Sequence, residues 1–290
     1  MKSVGIAIAG GGIKSFAAIG TLQYLAEQKI PISAVSGTSM GSVIASLVAC
    51  GATIEEIKTQ MLELEAYFEA NKIVSPTLLG LFQNAAKEGY VNSTLIEELL
   101  EKVFLKYQVK NIKDVRLPLA IPAVDLISGK LILFTNRKTS FLFEEETIIE
   151  DDISLAKAVA ASCSFPLMFQ PERYKDMQLV DGGLRMNVPI YPLQKMKMDY
   201  VISITMTGVN QTKEYRSMAQ ISRRVFDLLL SQSTLLSVLN ADLNINIILD
   251  TDNPFNVSYG KEAIEKGYLS TKEYYGDKLA SLKKKKWLFW

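Results

Sequence analysis

The sequence predicts an α/β fold, and three observations carry that prediction. The chain opens with a short apolar strand, Val4 to Ala9, that runs into three glycines and then into a helix with apolar residues on one side. A second short apolar run, Ile32 to Val35, leads into Gly37-Thr38-Ser39-Met40-Gly41 and another helix-like pattern. Two further apolar strands, Tyr200 to Met206 and Leu243 to Leu249, flank a long helical stretch from Ser217 to Leu239. Strands that alternate with helices in this way build βαβ units around one sheet. The 290 residues supply core enough for one large domain. No linker or internal repeat interrupts them, so one domain, 1–290, is expected. Its motif core covers about 4–206, and a further strand, helices and a tail follow over 207–290.

The first strand ends in Gly10-Gly11-Gly12-Ile13-Lys14-Ser15. Glycines between a strand and a helix leave several backbone N–H groups free to face an anion. Three readings compete for this loop. A Walker A loop fits at Lys14-Ser15 but needs glycines where Ile8 and Ile13 stand. A dinucleotide fingerprint needs its last glycine at Ser15, and an acidic residue where the second strand ends in Val35-Ser36-Gly37. The third reading is an oxyanion loop serving Ser39. It is preferred because the next strand carries Ser39, which brings both loops to one sheet edge.

Gly37-Thr38-Ser39-Met40-Gly41 has the Gly-x-Ser-x-Gly pattern of a nucleophile elbow, in the strand–turn–helix context such an elbow requires. The turn strains the serine backbone and lifts its hydroxyl beyond the sheet, while small flanking residues let strand and helix approach. A tight turn without chemistry is the plain alternative. Composition narrows the chemistry further. The chain contains no histidine, so a Ser-His-Asp triad is excluded and any base for Ser39 must be Asp, Glu or Lys. The same absence argues against a catalytic zinc. Cys50 and Cys163 are too far apart for metal spacing or a disulfide framework, which points to a reducing compartment. A net charge of +1 gives no support for nucleic-acid binding. With no signal peptide and no apolar run long enough to span a bilayer, a soluble, cytoplasmic protein is expected.

The glycine loop and Gly-Thr-Ser-Met-Gly together resemble the patatin-like phospholipase family, lipid acyl hydrolases with a Ser–Asp dyad and no catalytic histidine. The resemblance implies a three-layer α/β/α fold with a mainly parallel central sheet. It also implies an Asp-Gly-Gly or Asp-Gly-Ala motif further along. The family's Asp-Gly-Gly-Gly-x-Arg-Gly corresponds here to Ala9-Gly10-Gly11-Gly12-Ile13-Lys14-Ser15. Lys14 keeps the basic residue, and the leading aspartate and final glycine are lost.

Past the elbow helix, Gly51 reads as a helix stop, and Thr53-Ile54-Glu55-Glu56 as a capping box for an amphipathic helix, Ile57 to Lys72. Leu78 to Ala86 is a mixed apolar segment, either a packed helix or a cover over an acyl-binding cleft. A helix from Leu95 to Leu105 follows. Leu117 to Val124 and Lys130 to Phe134 form a β-hairpin, with Asp125 as a structural turn residue. Glu144-Glu145-Glu146 and Glu150-Asp151-Asp152 read as a solvated loop and a helix N-terminus rather than a metal site. Leu155 to Ala161 is a small-residue helix that ends at Ser162-Cys163-Ser164-Phe165-Pro166, similar to a family block lining the site; packing is the expected role of these residues. Leu179-Val180-Asp181-Gly182-Gly183, at a strand end, is the motif the resemblance implies, and Asn187-Val188-Pro189 follows as in the family. A helix is expected over Glu262 to Lys272.

The expected function is therefore a serine acyl hydrolase acting on lipid esters. Ser39 is the nucleophile and Asp181 its base, with the amides of Gly10, Gly11, Gly12 and Met40 as oxyanion donors. Lys14, Gly37, Gly41, Gly182 and Gly183 support the motifs, and no cofactor or metal is needed. Two other classes remain: a nucleotide-binding protein using the glycine loop, and a membrane-associated binding protein with a degenerate site. The stretch 283–290, Lys283 to Lys286 followed by Trp287-Leu288-Phe289-Trp290, suits a peripheral membrane contact. A frayed basic terminus or aromatics tucked onto the domain are the other readings.

Overall fold

A computed structural model describes residues 2–71, 93–141, 145–166, 168–208, 214, 216, 218–251, 253 and 256–282. The segment 78–86 and the tail 283–290 lie outside the described residues. The first strand, β1 (Val4–Ile8), is buried at every position and occupies the centre of the sheet. Beside it on one side lie β2 (Ala34–Gly37), β3 (Leu119–Asp125), β4 (Leu131–Thr135) and β5 (Thr147–Glu150), in that order. On the other side lie β8 (Tyr200–Gly208) and β9 (Leu243–Leu249). β1, β2, β3, β8 and β9 run parallel, so their C-terminal ends share one edge. β4 returns antiparallel against β3 as the expected hairpin.

Two strands escaped the sequence reading. β5 is short and only half-buried, and its Ile-Ile pair follows a run of glutamates. β6 (Glu172–Tyr174) has three residues, two of them charged, and pairs only with β7 (Met177–Asp181). Neither carries enough alternation to register as a strand.

β7 lies antiparallel to β3 and decides where the site forms. β2 pairs with β3 through Val35↔Leu119 and Ser36↔Ala120. β7 pairs from Ala123↔Asp181 to Asp125↔Leu179. β4 already occupies the other side of β3. β7 therefore continues along β3 in the slot β2 vacates, and its last residue, Asp181, faces the turn that follows β2.

Helices cover both faces, which completes the three layers. The larger core, with Ile6, Ile8, Ile202 and Ile204 from the sheet, receives α1 (Ala17–Glu27), α2 (Met40–Cys50), α3 (Ile54–Ala70), α4 (Ser93–Leu105) and α5 (Leu155–Cys163). After the short α6 (Gly183–Met186), the opposite face receives α7 (Ile190–Lys195) and the end of α8 (Met218–Val238), around Ala7, Val188 and Val201. α9 (Gly260–Ser270) packs back on the α1 side. The start of α3 has the expected capping box: Thr53 Oγ1 accepts from the Glu56 amide, and Glu56 accepts from the Thr53 amide at 2.7 Å. Gly51 ends α2 in the left-handed conformation.

Candidate active site

Strand β2 delivers Ser39 through a turn too sharp for ordinary backbone. Ser39 has φ 52° and ψ −132°, a region that costs a non-glycine residue about 1–3 kcal/mol unless its surroundings hold it there. Those surroundings are visible. The Ser39 amide donates to Ser162 Oγ at 3.0 Å. Its carbonyl accepts from the Ser42 amide at 2.8 Å and from Ser42 Oγ at 2.6 Å. The turn also needs close backbone contact. A Cβ at Gly37 would lie 2.2 Å from the Gly41 carbonyl oxygen, and one at Gly41 would lie 2.6 Å from that of Ala9. Glycine at both positions lets α2 start directly against β1 and β2.

Asp181 meets this serine from the end of β7. Its carboxylate shares the cavity with Ser39, whose side chain favours the charged form, and the Gly183 amide donates to Asp181 Oδ1 at 2.8 Å. The Asp181 amide donates to the Ser164 carbonyl, which fixes the strand end to the loop after α5. Gly182 lies against β3, where a Cβ would approach the Pro122 carbonyl oxygen to 2.2 Å. Asp181 is only 4% exposed. Burial raises its pKa from 3.8 to about 6, and the hydrogen bonds from Ser39 and Gly183 limit the rise. A carboxylate with that pKa is ionised at neutral pH and is a stronger base than an exposed one.

The glycine loop closes the third side. Gly11 and Gly12 line the same cavity as Ser39, Met40 and Asp181. Gly12 and Met40 are the first residues of their helical segments, so their amides have no acceptor within the helix. Gly10 departs from the expectation. Its amide donates to the Asn187 carbonyl at 3.2 Å, so it is not a free oxyanion donor. A Cβ there would sit 3.2 Å from Ser39 Cβ and 2.8 Å from Asn187 Oδ1. Lys14 is half-buried and lines the cavity.

Two residues named in the sequence only as members of family-like blocks make specific contacts at the site. Ser162, fully buried, holds the Ser39 amide, and Asn187 ties the glycine loop to α8 through a 2.8 Å bond from Nδ2 to Thr234 Oγ1. The Ala-Ser and Asn-Val-Pro blocks were their only signal. Other candidates stay apart from the chemistry. Asp125 accepts from the Ser128 hydroxyl at 2.6 Å and from the Ile127, Ser128 and Gln178 amides, a structural turn as expected. Glu150, Asp151 and Asp152 pair with Lys175, Lys138 and Lys113. Burial pushes the Cys163 thiol up, with the Asp181 charge adding to the rise, and pushes Cys50 up to about 12, so neither is a thiolate at neutral pH. No group of residues with metal-binding arrangement occurs among the described residues.

The cavity over this site has a volume of about 560 Å³, within the range of small-molecule pockets. A layered sheet with a strained serine, a buried aspartate and a glycine loop at its C-terminal edge defines an α/β protein with an elbow-type site. The patatin-like phospholipase family model matches residues 6–193, and the chain belongs to that family. The chain is 27% identical over 205 residues to the uncharacterized protein YqhO of Bacillus subtilis, covering 68% of this chain and 69% of that protein. It is 23% identical over 212 residues to the lysophospholipase NTE1 of Mycosarcoma maydis, covering 72% of this chain and 10% of that protein. Among solved structures, VipD from Legionella pneumophila shares the fold, with a TM-score of 0.51 and 14% identity, over 97% of this chain and 67% of that one.

Proposed function

We propose that this protein is a serine acyl hydrolase that cleaves carboxylic ester bonds of lipids with a Ser39–Asp181 dyad. The observation that carries the reading is a strained Ser39 that lines one cavity with a buried Asp181 of raised pKa. In this mechanism Ser39 Oγ attacks the ester carbonyl while Asp181 takes its proton. The amides of Gly11, Gly12 and Met40 stabilise the oxyanion, and the proton passes to the leaving alcohol as the tetrahedral intermediate collapses. Water, deprotonated by Asp181, then attacks the acyl-enzyme, and Ser39 leaves reprotonated. A lipid substrate fits the family and the mostly apolar cavity wall formed by residues such as Val43, Phe68 and Leu100. A cytoplasmic setting fits the two buried free thiols. Peripheral membrane contact through 283–290 belongs to the same proposal.

The test is labelling with a fluorophosphonate probe. Adduct on Ser39 is expected in the wild type, with none in Ser39→Ala and at least 100-fold slower labelling in Asp181→Asn, in line with loss of a general base. Undiminished labelling of Asp181→Asn would overturn the dyad. Tight nucleotide binding that persists in Ser39→Ala would favour the glycine-loop alternative instead.

A further inference from the structure

The cavity crosses the edge of the sheet, and its two arms differ in chemistry. On the α3 and α4 side the wall is Val43, Leu64, Phe68, Ile96, Leu100 and Phe169, all packed into the larger core. On the α8 side the polar groups gather: Thr205, Thr207, Ser231, Thr234, Asn244 and Asn246, with Leu230, Leu235 and Val238 of α8 between them. Side chains alternate across a strand. Ile202, Ile204 and Ile245 point into the larger core, so Ser203, Thr205, Thr207, Asn244 and Asn246 face the opposite way, beneath α8. Ser39 and Asp181 lie between the arms, at the strand ends.

The polar arm is an ordered ladder. Ser203 Oγ donates to Asn244 Oδ1 at 2.8 Å, and Thr207 Oγ1 donates to Asn246 Oδ1 at 2.9 Å. Thr205 Oγ1 lies between them, 3.2 Å from Asn244 Oδ1 and 3.1 Å from Asn246 Oδ1. Three hydroxyls therefore serve the two carboxamide oxygens, with the single Thr205 proton shared between them. The Nδ2 groups of Asn244 and Asn246, two donors each, have no partner among the described residues. Both side chains are half-buried and line the cavity. The charged residues of the lining, Lys14 and Arg224 against Asp181 and Asp227, cancel in sign.

We propose that the arm beneath α8 binds an uncharged polyol head group, glycerol or a sugar, while the acyl chain occupies the apolar arm. This deepens the hydrolase reading and rests on it for the position of the ester bond. Hydroxyl groups both donate and accept, and they match a ladder of carboxamide donors and threonine hydroxyls. A phosphate would need a net cationic lining, which the described residues of the cavity do not supply.

The experiment measures binding to the Ser39→Ala protein by calorimetry, with 1-O-decylglycerol, 1-decanol and decyl phosphate as probes below their micellar concentrations. None is an ester, so the result does not depend on hydrolysis. A hydrolase reading that fails in the labelling experiment is thus separable from a polyol site that fails here. Decylglycerol is expected to bind about tenfold more tightly than decanol, the effect of one or two added hydrogen bonds. Asn246→Leu should erase that gap. Thr207→Val, at an exposed strand end that tolerates valine, should narrow it about threefold. Equal affinity for decylglycerol and decanol would overturn the proposal. So would a gap that survives both substitutions, or decyl phosphate binding most tightly.

Discussion

In the proposed dyad, burial of Asp181 makes it a better base and a stability liability at once. Its carboxyl titrates near 6 in the folded chain against 3.8 for an ordinary aspartate, because burial outweighs the Ser39 and Gly183 hydrogen bonds. As a general base it must be ionised, so kcat/KM is expected to rise with pH through about 6 and then level off. Stability runs the other way. Between 3.8 and about 6 the native state holds a proton that the unfolded chain releases, so the wild type loses stability as pH climbs through that window. The full loss corresponds to about 3 kcal/mol. Asp181→Asn has no such proton to lose. It should unfold with a flatter pH dependence and be the more stable protein at pH 7.5, while its hydrolysis is abolished. Urea titrations of both proteins at pH 4 and pH 7.5 check this, and parallel slopes would refute it. In the proposed site Ser162 is a positioning residue, because it touches the Ser39 amide and is not part of the cavity lining. Ser162→Ala leaves that amide without its acceptor, at a cost of about 1–3 kcal/mol in stability. Steady-state kinetics should show kcat reduced about tenfold with KM little changed, since binding walls stay intact while the elbow loosens.

The elbow shows at the scale of an element why some of the site was legible and some was not. Gly37 was readable because its reason is local, the Gly41 carbonyl leaving no room for a Cβ, whereas Gly41 was read from the elbow pattern and is crowded by the Ile8 and Ala9 carbonyls beside β1. Gly37→Ala, with the Gly41 carbonyl oxygen 2.2 Å from the new carbon, should destabilise the protein by about 1–3 kcal/mol or more. Thermal unfolding followed by circular dichroism measures this, and an unchanged midpoint would mean the turn relaxes freely. The capping box at Thr53 and the hairpin through Asp125 were readable for the same local reason. Gly10 was not. Its amide is taken by the Asn187 carbonyl from 177 positions away, a pairing fixed only when the sheet assembles. β5 and β6 were missed on similar grounds, since short half-polar strands exist only through their neighbours. The register that puts β7 beyond the end of β2 is likewise a tertiary fact, although it is what brings Asp181 to Ser39.

At the scale of the whole molecule, a lipid hydrolase faces a substrate gathered in bilayers and micelles rather than dispersed in water. No helix among the described residues is long and apolar enough to cross a membrane, and surface attachment is one way to reach such a substrate. The tail proposal supplies it in sequence terms: Lys283 to Lys286 precede Trp287 and Trp290. Each lysine near an anionic surface contributes about 1 kcal/mol at most, and tryptophan partitions to the interface. Four lysines together imply up to about 4 kcal/mol, a partition coefficient roughly a thousandfold higher, and one that weakens as salt shortens the screening length. Substituting all four by glutamine should therefore cut cosedimentation with phosphatidylserine-containing vesicles in low salt, while vesicles of phosphatidylcholine alone show little difference between the two proteins. Hydrolysis of a short-chain ester dissolved in water should be the same for both, because the substitutions leave Ser39, Asp181 and the cavity walls in place. Equal vesicle binding by the two proteins would remove the tail from the account. The approach to lipid would then fall to the rim of the cavity, where α8 exposes Leu229, Leu235 and Leu236.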